Sequence, residues 1–313
     1  MQSAASTRFV SIGAVHSDTV AHAFEPIRRE TSTPAGLSAS PGGVATNIAR
    51  AVNALGVPAH LIGAVGDDHA AGALRDRLTG EGLTLTFVPR TGYATGQYLA
   101  LHDPDGSLAA ACVDDRVLAE APAAIFDHAI ADLRQGASDT ICWFTDANLP
   151  EETLARVIAG VGNAAIFANA VSDAKAPRLK PFLSRLACLS LNRGEAAAML
   201  DMPVRSVPEE LAAALRRAGL KQFILTGGGN ELLAFSEDRL ERISPPASDV
   251  VNVTGAGDAL SAGFLAAQLR GIDFFQSVRY GLAAASLTLQ STGAFADGLS
   301  WDRLEKFAQT DKI

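Results

Sequence analysis

Short apolar runs alternate with helix-like stretches along most of the 313 residues, and this alternation constrains the fold more than any other feature. Phe9-Val10-Ser11-Ile12, His60 to Ile62, Thr140 to Phe144, Ala165 to Ala168, Leu186 to Leu191 and Gln222 to Thr226 all read as strands. Strands of this kind, separated by helices, predict a parallel sheet covered on both faces. Asn47 to Leu55 supplies one covering helix, with Ile48, Val52 and Leu55 at helical spacing and Gly56 as its stop. Ser206 to Gly219 shows both ends of another. Ser206 and Glu209 have capping-box spacing, Pro208 suits the first turn, and Gly219 closes the helix.

Two segments break the rhythm. Thr95 to Leu101 and Ser107 to Val113 flank Asp103-Pro104-Asp105-Gly106, a strong turn signal, and predict an antiparallel hairpin. Phe24 to Ser40 contains three prolines or glycines and no helical period, which leaves room for one or two further strands. Together they predict a small β-rich lid, formed by about 14–40 and 90–114, inserted into a single α/β domain that spans 1–313.

Composition narrows the partners. The chain is 48% hydrophobic and 19% charged, as expected of a globular protein with a substantial core. Lys and Arg total 26 against 34 Asp and Glu, a formal net charge of −8, which argues against nucleic acid as a partner. Small anions stay open as ligands, because a nest of backbone N–H groups binds phosphate even in an acidic protein. The three cysteines, Cys112, Cys142 and Cys188, are far apart, lack metal-ligand spacing and sit among apolar residues, so each is expected to be a buried thiol. The start, MQSAASTRFVSIGAV, lacks a basic region followed by a long apolar stretch. No segment reaches the roughly 18 apolar residues of a membrane span, so a cytoplasmic protein with no membrane partner is expected.

The most specific segment is Val250-Val251-Asn252-Val253-Thr254-Gly255-Ala256-Gly257-Asp258, which runs into the small-residue stretch Ala259 to Phe264. Glycines just before a helix let backbone N–H groups converge where the helix end adds partial positive charge. Such a site favours the charge on transferring phosphate oxygens, and Asp258 at its mouth could accept the proton of an attacking hydroxyl. The plainer alternative is a glycine-rich turn capped by Asp258. The dense grouping T-G-A-G-D favours the functional reading. A second segment, Ser40-Pro41-Gly42-Gly43-Val44-Ala45-Thr46-Asn47, allows close approach of a ligand to backbone, and Asn47 offers donor and acceptor to vicinal hydroxyls. Taken alone, Gly42-Gly43 could equally be a tight turn and Asn47 a cap.

Both segments resemble the two signatures of the ribokinase-like (PfkB) family of carbohydrate and nucleoside kinases. Intermediate landmarks occur in order: Gly63-Ala64-Val65-Gly66-Asp67-Asp68 resembles the G-x-V-G-x-D segment, Asn192-Arg193-Gly194-Glu195 the N-x-x-E motif, and Thr226-Gly227-Gly228-Gly229 a turn that reaches the ATP phosphates. The resemblance implies a three-layer α/β/α fold with a mostly parallel central sheet and a small β-sheet lid. It implies Asp258 as catalytic base, with the N–H groups of Gly255, Ala256 and Gly257 as anion hole. Asn192, Thr226, Gly227, Gly229 and Thr254 would contact ATP, and Asn192 and Glu195 would hold Mg²⁺ and its waters. Asp18, His16, Gly42, Gly43 and Asn47 would line the acceptor site, with the lid closing over it. A nucleoside or sugar is the implied small-molecule partner, and a homodimer through the lid edge is expected.

One group within the family, the pseudouridine kinases, is similar at a finer level. The similarity lies in Thr31 to Gly36, Ser40 to Ala49, Val171 to Ala176, the Leu191-Asn192-Arg193-x-Glu195 form and Val251 to Asp258. It implies the 5′-hydroxyl of pseudouridine as acceptor and Lys175 as an added substrate contact, a solvated surface lysine being the plainer reading. Ribose, fructose, adenosine, inosine and cytidine stay open as acceptors. His16 stands where that group usually has Asn, and Asn252 where most of the family has Asp near a monovalent-cation site, which puts strong K⁺ dependence in doubt. Two other classes compete. A dinucleotide oxidoreductase is opposed by Gly13 to Asp18, which lacks G-x-G-x-x-G spacing. A non-catalytic nucleoside sensor would have no need of Asp258, Asn192 and Glu195 together.

Overall fold

The structure, a computed structural model, describes residues 8–135, 140–291 and 293–310. The first seven residues, part of the start read above for a leader, lie outside this range. In chain order the strands are β1 (Arg8–Ile12), β2 (His16–Ala23), β3 (Ala35–Gly42), β4 (Ala59–Gly66), β5 (Thr84–Arg90), β6 (Gly96–His102) and β7 (Leu108–Asp114). There follow β8 (Ile141–Asp146), β9 (Ile166–Asn169), β10 (Cys188–Asn192), β11 (Phe223–Gly227), β12 (Asn230–Ser236) and β13 (Arg239–Ile243).

The main sheet is nine-stranded, in the order β13-β12-β11-β10-β9-β8-β1-β4-β5. Its strands pair in parallel from β11 to β5, while β12 and β13 add an antiparallel edge. β8 shows why the centre forms: Ile141 to Asp146 is buried along its whole length, as a strand covered on both faces must be. Trp143 is 1% exposed, and truncating it to Ala would cost about 3–5 kcal/mol. Separate apolar clusters fill the two faces, one under the helices Val44–Ala54, Ala256–Gln268 and Phe274–Leu289, the other under Glu151–Gly160, Arg193–Leu200 and Pro208–Arg217. These are the three layers expected from the sequence.

From β1 the chain steps to β4 and β5 on one side, then returns to β8 on the other and moves away through β9 to β11. The reversal puts a topological switch point at the carboxyl ends of β1 and β8, where open α/β sheets bind ligands. A four-stranded sheet, in the order β3-β2-β6-β7, stands over that end, because β1 leads into β2 through Gly13 to Val15. The expected hairpin is present as β6 and β7, with the Gly106 N–H donating to Asp103 O at 2.9 Å in its turn. Asp68, in the G-x-V-G-x-D segment, anchors this sheet to the body. It accepts from Thr95 N at 2.8 Å and Thr95 Oγ1 at 2.6 Å while capping the helix His69–Gly80.

Three expectations need correction. The helix after Gly43 begins at Val44, so Asn47 lies a turn inside it and is no cap. Ser206 does not cap its helix: Val207 occupies the N-cap and Pro208 the first position, while Ser206 O accepts from Arg193 Nη2 at 3.2 Å. Cys112 is exposed, because β7 is an edge strand, while Cys142 and Cys188 are buried as expected. No helix among the described residues is long and apolar enough to cross a membrane.

Candidate active site

Gly43 makes the first turn possible. Its φ is 94°, and a Cβ there would lie 2.4 Å from Ala14 O, so only glycine lets the chain leave β3 and enter the next helix against the end of β1. Gly255 does the same for the second turn, with φ 79° and Ala294 O 2.1 Å from the site of a Cβ. The helix it opens, Ala256–Gln268, packs through small residues: a Cβ on Gly263 would lie 2.8 Å from Tyr280 O and from the Ala284 methyl of the next helix. This close approach fixes Asp258, in the first turn of that helix, over the switch point.

The two turns, 211 residues apart in sequence, meet at Asp258: Asn47 Nδ2 donates to Asp258 Oδ2 at 2.9 Å. The Asp258 residue is only partly exposed. Burial pushes its pKa to about 7, the Asn47 hydrogen bond opposes the shift, and the carboxylates of Asp146, Asp18 and Glu195 add to it. Asp18 is raised to about 6 by burial, against the Arg50 guanidinium. His16 is lowered to about 4 by burial, with the Lys175 cation acting the same way and Asp115 opposing, so its imidazole is neutral at pH 7. Gly42 lies against Asp18: a Cβ there would be 1.9 Å from Asp18 Oδ2.

His16 Nε2, Asp18 Oδ1 and Asn47 Oδ1 are buried without a hydrogen-bond partner among the described residues. Buried polar atoms are seldom left so, and an unpartnered group at a switch point calls for a ligand. Beyond His16, Lys175 donates to Asn148 Oδ1 at 2.7 Å and reaches Asp115 Oδ2 at 3.2 Å. Lys175 is thus half-buried in a polar cluster rather than a solvated surface side chain.

On the other side of Gly257 a cleft of about 590 Å³ opens between Thr226–Asn230, Pro245–Ser248 and the helix Phe274–Leu289. Thr226, Gly227, Gly229, Ala256 and Gly257 all line it, beside apolar walls that include Leu232, Val253 and Leu289. Thr254 is exposed and is not part of this lining. Asn192 ends β10, and its side chain and that of Glu195 form a reciprocal capping box at the start of the helix Arg193–Leu200. Burial raises the Glu195 pKa, with the Asn192 N–H bond opposing and Asp173 adding to the shift. This corner offers oxygen donors suited to a hard cation. Among the described residues, however, no three ligand-type side chains cluster tightly enough to cage an ion. Mg²⁺ fits such a corner through its waters and phosphates.

Asp146, Asn148 and Asp115 escape a motif-based reading, as do the Pro245–Ser248 and Ala285–Leu289 walls. An acidic residue closing the apolar run Ile141 to Thr145 was the one available signal.

Residues 6–301 match the pfkB family carbohydrate kinase. The pseudouridine kinase of Escherichia coli (strain K12) is 30% identical over 287 residues, covering 90% of each chain. Among solved structures, a carbohydrate kinase from Agrobacterium tumefaciens superposes with a TM-score of 0.85 at 28% identity over 97% of both chains. Arabidopsis thaliana ribokinase, complexed with ribose and ATP, gives 0.81 at 22% identity over 96% of this chain and 98% of its own, a likeness of fold. A match over nearly the whole length, on a ribokinase-like fold whose two glycine turns converge on one aspartate, makes this chain a member of the pfkB family of carbohydrate kinases.

Proposed function

We propose that this kinase transfers the γ-phosphoryl group of ATP to the 5′-hydroxyl of pseudouridine, giving pseudouridine 5′-phosphate. The observation that carries the reading is the row of buried, unpartnered atoms, His16 Nε2, Asp18 Oδ1 and Asn47 Oδ1, which runs from Asp258 towards the Lys175 cluster. Vicinal ribose hydroxyls suit Asp18 and Asn47, and a polar base with its own N–H and carbonyl groups suits His16 and Lys175. The relative named pseudouridine kinase, at 30% identity, supports the same acceptor.

In this reading Asp258 accepts the proton of the 5′-hydroxyl as that oxygen bonds to the γ-phosphorus. The bond from that phosphorus to the β–γ bridging oxygen breaks, and ADP leaves. A pKa of about 7 poises Asp258 to take a proton near neutral pH. Gly255, Ala256 and Gly257 would present N–H groups to the phosphate at a helix start, where the first turn has no acceptors within the helix, the Ala256 N–H giving up its long 3.5 Å bond to Val253 O. Asn192 and Glu195 would hold Mg²⁺ through its waters, and the ion, when bound, supplies positive charge to the phosphate oxygens. The cleft between Thr226–Asn230 and Leu289 takes the adenine nucleotide, with Thr254 outside its lining.

Two further features belong to the reading. Asn252 carries no formal charge, and its Oδ1 accepts the Thr254 N–H at 3.0 Å, so we expect turnover to change little when K⁺ replaces Na⁺ in the assay. The lid edges, β3 and β7, are largely exposed, with Leu37 73% accessible, which supports a homodimer through the lid that sedimentation would test.

A coupled ADP-release assay tests the function directly. Pseudouridine should give the highest kcat/KM among pseudouridine, uridine, adenosine, inosine, cytidine, ribose and fructose. A higher value for another acceptor overturns the substrate. Thermal stabilisation by a nucleoside without ADP release from any of them would favour a sensor.

A further inference from the structure

Asp146 closes β8 at the switch point and is 0% exposed. Its partners are N–H groups rather than a cation: Oδ2 accepts from Ala45 N at 2.8 Å, and Oδ1 from Asn148 N at 2.9 Å, and the Asn148 side-chain amide bonds the carboxylate as well. The Ala14 N–H bonds the same carboxylate. The fit around it is tight, since a Cβ on Gly13 would lie 2.6 Å from Asp146 Oδ2.

A buried carboxylate is a demanding way to join loops, because its charge must be taken out of water and satisfied by protein donors. An amide of the same shape has one acceptor oxygen and would turn a donor towards either the Ala45 or the Asn148 N–H. Only a carboxylate satisfies both. The two N–H groups lead to different parts of the site. Ala45 lies in the first turn of the helix that carries Asn47, and so the hydrogen bond to Asp258. Asn148 carries the side chain that holds Lys175 beside His16. Thr46 Oγ1, donating to Ala14 O at 2.9 Å, closes the same knot from the helix side.

We infer that Asp146 is a positioning residue for phosphoryl transfer, fixing the Asn47 helix and the Asn148–Lys175 arm at the separation the acceptor spans. The inference rests on the reading above, in which both arms contact the acceptor. Asp146 itself touches neither acceptor nor nucleotide.

The test is Asp146→Asn, compared with wild type in acceptor KM, ATP KM and kcat, alone and combined with Lys175→Met. Loss of the Ala45 or the Asn148 backbone hydrogen bond should raise the acceptor KM about tenfold or more and leave the ATP KM within about twofold. Lys175→Met should then add little in the Asp146→Asn background, because its anchor is already displaced. Should the amide variant fail to fold, Asp146→Ser, which is smaller than the native side chain, carries the same expectations. An unchanged acceptor KM, or a Lys175→Met effect of equal size in both backgrounds, overturns the positioning role. A wild-type enzyme inactive on every acceptor overturns the functional reading, and this inference with it. Normal wild-type turnover with unchanged variant kinetics overturns this inference alone.

Discussion

The side of the site proposed for the acceptor and the side proposed for the nucleotide meet at Gly257 and Asp258 and are made of different materials. On the acceptor side, polar side chains are buried in regular structure and perturbed by that burial: Asp258 is raised to about 7, Asp18 to about 6, and His16 is lowered to about 4. On the nucleotide side the walls are glycine backbone and apolar groups, and Val250 and Val253 remain 59% and 72% exposed. The difference follows from the work each half would do. Proton transfer needs a carboxylate desolvated enough to hold a proton near neutrality, which takes a rigid and costly setting. A purine and a phosphate chain need a flat apolar slot and converging N–H groups, which loops supply cheaply.

Asp258→Asn breaks the acceptor half most severely. Turnover should fall by about 10²–10⁴-fold, the usual worth of a positioned base, while the fold persists. Stability should move the other way. A carboxyl whose folded pKa of about 7 exceeds the ordinary 3.8 stabilises fully below the ordinary value, and that contribution is lost as pH rises through about 7. The amide never ionises, so at about pH 8 the variant should be more stable than wild type by roughly 1–4 kcal/mol, the gain shrinking towards about pH 4. Thermal unfolding at both pH values checks the sign, and a variant that is less stable at alkaline pH would contradict the desolvated setting.

The contrast between the halves also explains what could be read from sequence. The parallel sheet was legible because each central strand is a local apolar run, and the turns at Gly43 and Gly255 because their backbone geometry demands glycine. The convergence of Asn47 on Asp258 was legible only by resemblance, since no local pattern links residues 211 apart. Asp146 was barely legible. Its importance lies in the Ala45, Asn148 and Ala14 N–H groups brought to it by the fold, and a lone aspartate after an apolar run looks like many strand ends. The Ser206 capping spacing misled for a related reason: a carbonyl bonded to Arg193 and a proline at the first helical position moved the cap to Val207.

Gly42→Ala should act next most strongly, and on acceptor binding alone. The backbone at Gly42 accepts an L-residue, but the new methyl overlaps Asp18 Oδ2, 1.9 Å from the ideal Cβ, and Asp18 must move. Misplacing a positioning group by about 1 Å can cost up to about 10²-fold, so the acceptor KM should rise by about 10- to 100-fold with the ATP KM unchanged. Asn47→Ala is milder in rate and more informative in pH. The Asn47 hydrogen bond favours ionised Asp258, so its loss should carry the pKa above about 7 and move the acid limb of kcat/KM to higher pH. The accompanying loss in rate should be about tenfold. An acid limb that stays in place would show that another group titrates there.

The smallest effect is expected from the same glycine-to-alanine change made in the nucleotide half. Gly229 lines the cleft, its φ lies outside the left-handed region, and a Cβ there meets no atom within 4 Å. If that loop serves through backbone N–H groups and open space, Gly229→Ala should change the ATP KM by no more than about twofold and leave the acceptor KM alone. Set beside Gly42→Ala, it separates a glycine that yields room to a buried carboxylate from one beside open space. A large loss of ATP affinity would mean that bound nucleotide presses directly on the Gly229 Cα. The nucleotide half would then be as closely fitted as the acceptor half, and the contrast between them would narrow to charge.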